Sequence, residues 1–419
     1  MSDDLKIYDI AVIGAGAAGC MAAIRAGQAK KQVVLLERND ALCRKLLLTS
    51  NGRCNLTNNA PAAEFIKKFS PNGEFYRTVF HRFSNQDLLD FFRAKGLEFK
   101  VEDRGRVLPV TNKAATVVAV LAQYLQENPV KVCFGRRIIS VEPVDGGFTL
   151  IDQDQVRWKA KKVIITTGGK SYPDTGSTGD GLDMAKKLGH TITELTPGLV
   201  PLKVKESLVK DLRGLSFDRA QITFYDGDKK ITSDAGEVLF THFGLSGPLV
   251  LDISAQVLKL LAKQKAVRLA IDLVPDIKKP DLEKKLWESL SCKGDAKIKS
   301  ILSGMLPRRM ALVLLDHLGV SAQKFASQVT RKEREAIVRG LKTFALTAIG
   351  GLALEEAMVT CGGVALKDID PRTMSSKIVP GLYFAGEIIE SAGVSGGYNL
   401  QQAFSTGHLA AEAILGKKN

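Results

Sequence analysis

The chain has 419 residues, 45% hydrophobic and 25% charged, with 59 Lys and Arg against 45 Asp and Glu, a formal net charge of +14. That balance belongs to a folded globular protein and excludes a disordered chain, a collagen-like fibre and a polybasic tail; the length accommodates two or three domains. No run approaches the roughly 18 apolar residues of a membrane helix, and the start MSDDLKIYDIAVIG is acidic where a signal peptide is basic, so a cytoplasmic protein without membrane contact is expected.

Residues 8–13, YDIAVI, form an apolar strand that runs directly into Gly14-Ala15-Gly16-Ala17-Ala18-Gly19; CMAAIRAGQAK then reads as a helix and VVLLE at 33–37 as a second strand. Strand, glycine turn, helix and strand, closed by an acid, make a dinucleotide-binding pattern. Gly14 allows the tight turn, Gly16 lets the backbone approach a pyrophosphate at the helix N-terminus, and Gly19 permits close helix–strand packing. Glu37, with Arg38 beside it, is placed to accept hydrogen bonds from a ribose, and its charge disfavours a 2′-phosphate.

Three glycine-bearing segments return later, as a ligand longer than NAD requires. The first is Lys45 to Asn58, KLLLTSNGRCNLTN; the second is VIITTGG at 163–169, followed by KSYPDTGSTGDG; the third is GLYFAGE at 381–387, followed by SAGVSGGYNLQQAFSTGHLAAEAIL. The spacing of Leu400, Ala403, Phe404, Gly407, Ala411 and Ile414 predicts a helix over 399–415, which puts a helix N-terminus just after Gly396 and Gly397. Backbone N–H groups at Tyr398, Asn399 and Leu400 there suit the anionic ring of a reduced flavin. The pattern therefore points to FAD. No second GxGxxG unit is present, so NAD(P)H, if it is the reductant, docks transiently.

Between Thr196 and Ala357 the dinucleotide pattern is interrupted. LVPLKV, AQITFYD, EVLFTHFG and VRLAIDLV read as short strands of a small antiparallel barrel, whereas LEKKLWESL, MALVLLDHLGV and RKEREAIVRGLKTF read as helices, with Pro275 and Pro280 at the seam. The expected fold class is α/β: a Rossmann-like FAD domain over 1–195 and 358–419, a barrel-like insertion over 196–281 and 342–357, and a basic helical subdomain over 282–341. From Lys293 to Lys342 there are eleven basic residues and four acids, so a net +7 sits in this helical part. Such a module suits a polyanion, although a solvated helix face has the same composition. Trp287, Phe325 and Phe344 read as core residues, which argues against a base-stacking platform.

Six cysteines (Cys20, Cys43, Cys54, Cys133, Cys292, Cys361) form no CxxC pair, so no metal site, no disulfide scaffold and no redox dithiol is expected.

The ordered motifs GAGAAG, SNGRCNLTN, TTGGKSYPDTGSTGDG, LFTHFGLSGP, PGLYFAGE and SGGYNLQQAFSTG resemble the BaiN/RdsA-type, or aminoacetone-oxidase-like, FAD oxidoreductases over essentially the whole chain. The resemblance implies a glutathione-reductase-type FAD fold with a large insertion. By it Glu37 binds the adenosine ribose and Ile138, in RRIISVE, offers backbone to the adenine. Thr167, Gly168 and Gly169 lie near the adenosine end. Lys45 and the loop Ser50, Asn51, Gly52, Arg53, Cys54 and Asn55 run along the ribityl chain and flavin. Gly386 precedes Glu387, which stands where many relatives of the fold have Asp.

Acid–base candidates are few. Cys54 lies beside Arg53 in the loop expected near the flavin, where a cation favours thiolate, against the commoner role of a buried packing thiol. His242, in THFGLSGP, is expected to reach the flavin's open face from the insertion or to hold a loop carbonyl. Tyr172 and Tyr398 are further candidates to shape the site, Cys361 reads as packing, and His81, His190, His317 and His408 read as surface or helix-end residues. The family implies three activities: reducing a uridine of large-subunit ribosomal RNA to dihydrouridine, reducing enones of steroid-like molecules, and oxidising small amines. The first two share hydride delivery to a C=C conjugated to a carbonyl. Uridine reduction in ribosomal RNA, with contact through 293–342, is the leading expectation because it uses the charge; a small-molecule enone reductase or amine oxidase, and a non-catalytic flavin-containing RNA-binding factor, are the alternatives.

Overall fold

The computed structural model describes residues 6–69 and 71–416. The chain divides into two compact units, Met1–Gly198 with Leu354–Asn419, and Leu199–Ala353. No helix among the described residues is long and apolar enough to cross a membrane.

In the first unit Val130–Cys133, Val33–Leu36, Ile7–Ile13 and Arg157–Ile165 lie side by side in parallel. Arg157–Ile165 is long enough to serve two neighbours on one edge. Its amino half pairs antiparallel with Gly147–Asp152 of a hairpin, and its carboxyl half pairs parallel with Leu382–Phe384, which returns from the far end of the sequence. Val33–Leu36 is buried throughout, as a strand covered on both faces must be. The helix Ala17–Gln28 is rich in Ala and Gly, and the closing helix Tyr398–Ile414 crosses it closely. Gly407 sets that approach, because a Cβ there would stand 2.2 Å from the Ala18 carbonyl oxygen. Between Asn58 and Val130 the chain adds a three-stranded sheet and short helices around a cluster of Phe65, Phe69, Tyr76 and Phe80, with Tyr398 edge-on to Phe65.

In the second unit Ser216–Asp226, Gly236–Phe240, Gly244–Ser246, Leu202–Val204, Phe344–Gly351 and Val267–Asp272 pair antiparallel in that order, and Val267–Asp272 pairs back to Ser216–Asp226. The ring is a closed six-stranded barrel, with Lys229–Thr232 as a short flap on Ser216–Asp226. Closure removes the sheet edges that an open sheet would expose. The apolar run after Gly247 is a helix, Pro248–Leu261, which the strand-rich reading of this stretch did not include; Pro248 sits in its first turn, and Leu249, Val250, Ile253 and Val257 are buried.

The helices Lys279–Cys292, Ile298–Leu302, Arg308–His317 and Arg331–Lys342 share one core with the barrel: Leu286, Met310, Leu314, Ile337 and Leu341 cluster with Phe240, Leu269 and Phe344. Their apolar stripes therefore close against the barrel, and the segment 282–341 stands within one unit rather than as a third body. The unit begins at Leu199 rather than Thr196 because Thr196–Gly198 pairs antiparallel with Val359–Cys361, and both strands stay with the first unit.

Candidate functional site

Four segments of the first unit converge because each follows the carboxyl end of a parallel strand: Gly14 after Ile13, Glu37 after Leu36, Thr166 after Ile165 and Ala385 after Phe384. Ligands of open α/β sheets bind at such ends. The glycine turn has the geometry its sequence requires. Gly14 has φ +97°, and its absent Cβ would stand 2.9 Å from the Thr166 carbonyl oxygen; a Cβ on Gly19 would stand 1.9 Å from the Gly14 oxygen. Thr166 Oγ1 lies 2.8 Å from the carbonyl oxygens of both Ile13 and Gly14, tying the two strand ends together. Gly16 is different, since nothing lies within 4 Å of where its Cβ would be. It opens onto a cleft of about 1310 Å³, mouth included, at the amino end of a helix that no side chain caps.

The cleft is lined by Gly14, Ala15, Gly16, Ala17, Ala18, Glu37, Arg38, Lys45, Ile138, Thr167, Gly168, Gly386, Glu387, Asn399 and Leu400, all residues that the sequence singles out. Glu37 is buried. Its Oε2 accepts the Ala15 N–H at 2.6 Å, and its Oε1 accepts the Asn39 backbone and side-chain N–H groups at 2.9 and 2.8 Å. A carboxylate has about four acceptor sites, so room for a ribose hydroxyl remains. Thr167 Oγ1 and Ser177 Oγ are buried on this wall without a protein partner. Buried hydroxyls in that state call for a polar ligand. The uncapped helix, the open space at Gly16 and these orphaned hydroxyls fit the pyrophosphate and adenosine half of FAD.

On the cleft wall that carries Ser177, Arg137 donates twice to Asp180, at 2.7 and 2.9 Å, and Arg38 donates to Thr178 Oγ1 at 2.6 Å and Asp180 Oδ2 at 3.3 Å. Burial alone would raise the Asp180 carboxyl, but hydrogen bonds from Arg137 and Thr178 and the two guanidinium charges outweigh it and hold the group below its ordinary range. Asn39, Ser177, Asp180 and Gln402 also line the cleft and are not singled out by the motifs. Ser177 and Asp180 stood within the quoted GSTGDG run, which is the signal that marks them.

Elsewhere in the cleft Lys45 Nζ bonds Glu387 at 2.6 and 2.9 Å and Ser171 Oγ at 2.7 Å, while the Thr360 N–H donates to Glu387 Oε1 at 2.8 Å. This network fastens the strap after the second strand to the third return. Asn399 clasps the loop before the closing helix, accepting from the Gly393 N–H at 2.8 Å and donating to its carbonyl at 2.9 Å. No side chain caps that helix.

The remaining residues stand beside the cleft rather than on its wall. Gly19, Gly169 and Gly397 are packed against neighbours; a Cβ on Gly397 would stand 2.3 Å from the Thr57 oxygen. Ser50, Asn51, Gly52 and Cys54 all have positive φ, the mark of a tightly coiled loop, and Arg53 is ion-paired with Glu102. Asn55 is buried there with Oδ1 unpartnered, Gly396 belongs to the loop that Asn58 holds, and Tyr398 is buried against Phe65. Cys54 is fully buried, and burial pushes its thiol up to about 12, so proximity to Arg53 does not yield a thiolate. His242 is exposed on the second unit, edge-on to Phe243, whereas every cleft-lining residue belongs to the first. His190 departs from its surface reading: it is buried, with Nε2 2.7 Å from Ser376 Oγ, and burial lowers its pKa.

Rossmann turn, acidic ribose acceptor and returning straps define a FAD-dependent oxidoreductase. The chain belongs to the family described as HI0933-like protein Rossmann domain, which matches residues 8–413. It is 34% identical over 406 residues to a 3-dehydro-bile acid delta(4,6)-reductase of Clostridium scindens, covering 96% of this chain and 98% of that one. It is 31% identical to a ribosomal RNA dihydrouridine synthase of Escherichia coli, covering 99% and 100%. Among solved structures, a 3-ketosteroid delta1-dehydrogenase from Sterolibacterium denitrificans shares the fold with a TM-score of 0.54 at 13% identity, covering 98% of this chain and 100% of that one.

Proposed function

We propose that this FAD-dependent oxidoreductase reduces a C=C bond conjugated to a carbonyl, that the bond is C5=C6 of a uridine in large-subunit ribosomal RNA, and that NAD(P)H is the reductant. The observation that carries the RNA reading is the charge of the second unit: Leu199–Ala353 holds 26 basic and 17 acidic residues, a net +9 of the chain's +14. Phosphate contacts are the use for which such an excess is suited. The two relatives named ribosomal RNA dihydrouridine synthase support the same substrate.

FAD, when bound and reduced by NAD(P)H, would supply a hydride to the β-carbon of the conjugated system, and a proton from solvent would complete the α-carbon. The protein's part is binding and electrostatics. Backbone from Gly14 to Ala18 receives the pyrophosphate, Glu37 accepts a ribose hydroxyl, and Thr167 and Ser177 complete their hydrogen bonds on the adenosine half. Lys45, held by Glu387 and Ser171, keeps the two straps together. The amino end of Tyr398–Ile414 favours negative charge placed before it.

The higher identity to the bile acid reductase favours a second reading, a small-molecule enone reductase. Both are tested at once. The holoprotein is reduced anaerobically with NADH or NADPH, then mixed with an unmodified large-subunit ribosomal RNA transcript or with a 3-keto-4-ene steroid. Flavin reoxidation by the RNA, with dihydrouridine in the recovered transcript, is expected; reoxidation by the steroid alone replaces the first reading with the second.

A further inference from the structure

Trp287 and Phe325 face outward. The chain has two tryptophans, and they differ sharply: Trp158 is 4% exposed in the first unit, and Trp287 is 54% exposed in the second. The helix Lys279–Cys292 buries Leu282, Leu286 and Leu290 and turns Trp287 away from them. Phe325 is 43% exposed, whereas Phe344 is 1% exposed and belongs to the core. Phe325 stands in the basic stretch 293–342 and Trp287 on the helix just before it, whose three lysines and three acids balance; neither ring is buried as a core residue is.

Phe325 is held in place by its backbone. It forms an antiparallel bridge with Lys297, flanked by Ile298 N–H to Lys324 O and Ala326 N–H to Ala296 O, both 2.9 Å. The turn Ala326–Gln328 packs on the helix that carries Trp287. Lys297 and Lys299 both donate to Gln323 Oε1, at 2.7 and 3.2 Å, which gathers two ammonium groups at a neutral acceptor. Among the described residues Lys293, Lys297 and Lys299 are in no ion pair, and Asp295 is the single carboxylate of that stretch. The Trp287 helix also carries Asp281, Glu283 and Glu288, of which Glu283 faces Lys279 and Glu288 faces Lys284; beyond it Glu333 is engaged by Lys324 and Glu335 by Arg331.

We propose that Trp287 and Phe325, with Lys293, Lys297 and Lys299, form a docking surface for single-stranded RNA, in which unpaired bases stack on the rings and the ammonium groups hold flanking phosphates. This rests on the RNA-directed reading above and names where the RNA is gripped. The chemistry selects the partner. An acidic polypeptide satisfies the lysines and leaves both rings without a planar partner, whereas a single strand offers a π-face and a charge at each nucleotide.

Trp287 is its own reporter. In a Trp158→Phe holoprotein, an unmodified large-subunit ribosomal RNA transcript should quench the remaining tryptophan emission on binding. Trp287→Ala and Phe325→Ala should each weaken that binding by roughly five- to a hundred-fold, the range for loss of one stacked base. The slope of log affinity against log salt should not change, and Trp287→Phe should retain most of the affinity. Lys297→Ala with Lys299→Ala should instead flatten the slope by roughly 1.4, about 0.7 per single-strand phosphate contact. FAD content checks that each variant has folded.

The outcomes separate this surface from the reading it rests on. If wild type makes dihydrouridine, and the ring variants bind RNA as tightly as it does with no quenching in the reporter protein, the surface is overturned and the substrate stands. Ring-dependent binding without dihydrouridine supports the surface and removes the substrate. A wild type that does not bind RNA, or that binds poly-glutamate equally well with the ring variants unaffected, overturns the surface.

Discussion

In the first unit five parallel strands leave their carboxyl ends open, and the glycine turn, Glu37, Thr167 and Gly386 gather there around a cleft. In the second unit six antiparallel strands close on themselves, and the conspicuous chemistry stands outside: cations in excess and two exposed rings. An open parallel sheet makes a concave site from backbone and short loops, with few charges. A closed barrel buries its inward side chains and offers a ligand only what its surface and attached helices carry. The cleft suited to the cofactor belongs to the first unit, and the proposed function places recognition of the substrate on the second.

The largest expected effect that sharpens this division is Gly16→Asp. Nothing within 4 Å of the missing Cβ opposes the new side chain, so the fold tolerates it, while a carboxylate enters the space suited to the pyrophosphate. The purified protein should contain no FAD and still bind ribosomal RNA; loss of both would show that the units are not separable in function. Next is Leu314→Ala, which hollows the core shared by barrel and helices. A cost of about 2–5 kcal/mol is expected for a buried leucine. Calorimetry should show the second unit melting earlier while flavin release keeps its wild-type temperature, and a common shift would break the comparison.

The smallest effect concerns Asp180. Its pKa is below the ordinary value in the folded protein, so it stabilises at neutral pH, and that contribution fades as pH falls below about 3.8 through the folded value. Asp180→Asn should therefore lower the unfolding midpoint more at pH 7 than at pH 3. An equal loss at both would mean that Arg137 and Arg38 do not act on its charge.

Much of the first unit was legible from residues 8–37 because its constraints are local. The tight turn needs Gly14 and the helix contact needs Gly19, and both are steric demands that a glycine in sequence announces. Asn39 was not legible as a wall residue, since what brings its side chain to the Thr175 carbonyl at the cleft is the crossing of distant segments. For Cys54 the adjacency to Arg53 says nothing about solvent; burial governs the thiol, in keeping with the packing role that sequence gave as the commoner one. Trp287 misled: it sits next to Leu286, and only the packing of Leu282, Leu286 and Leu290 against the barrel shows that the ring is left outside.

The sequence by itself determined the class of protein: a Rossmann FAD-binding chain, interrupted by a barrel-like insertion and carrying its charge excess in one stretch. These follow from backbone sterics, strand and helix periodicity and simple counting, which do not depend on what lies far away in the chain. Only the tertiary structure decided that barrel and helices are one unit, that Cys54 is sealed, and that Trp287 and Phe325 stand exposed, Phe325 bridged to Lys297. Burial is a property of the whole packed surface, and no local pattern contains it.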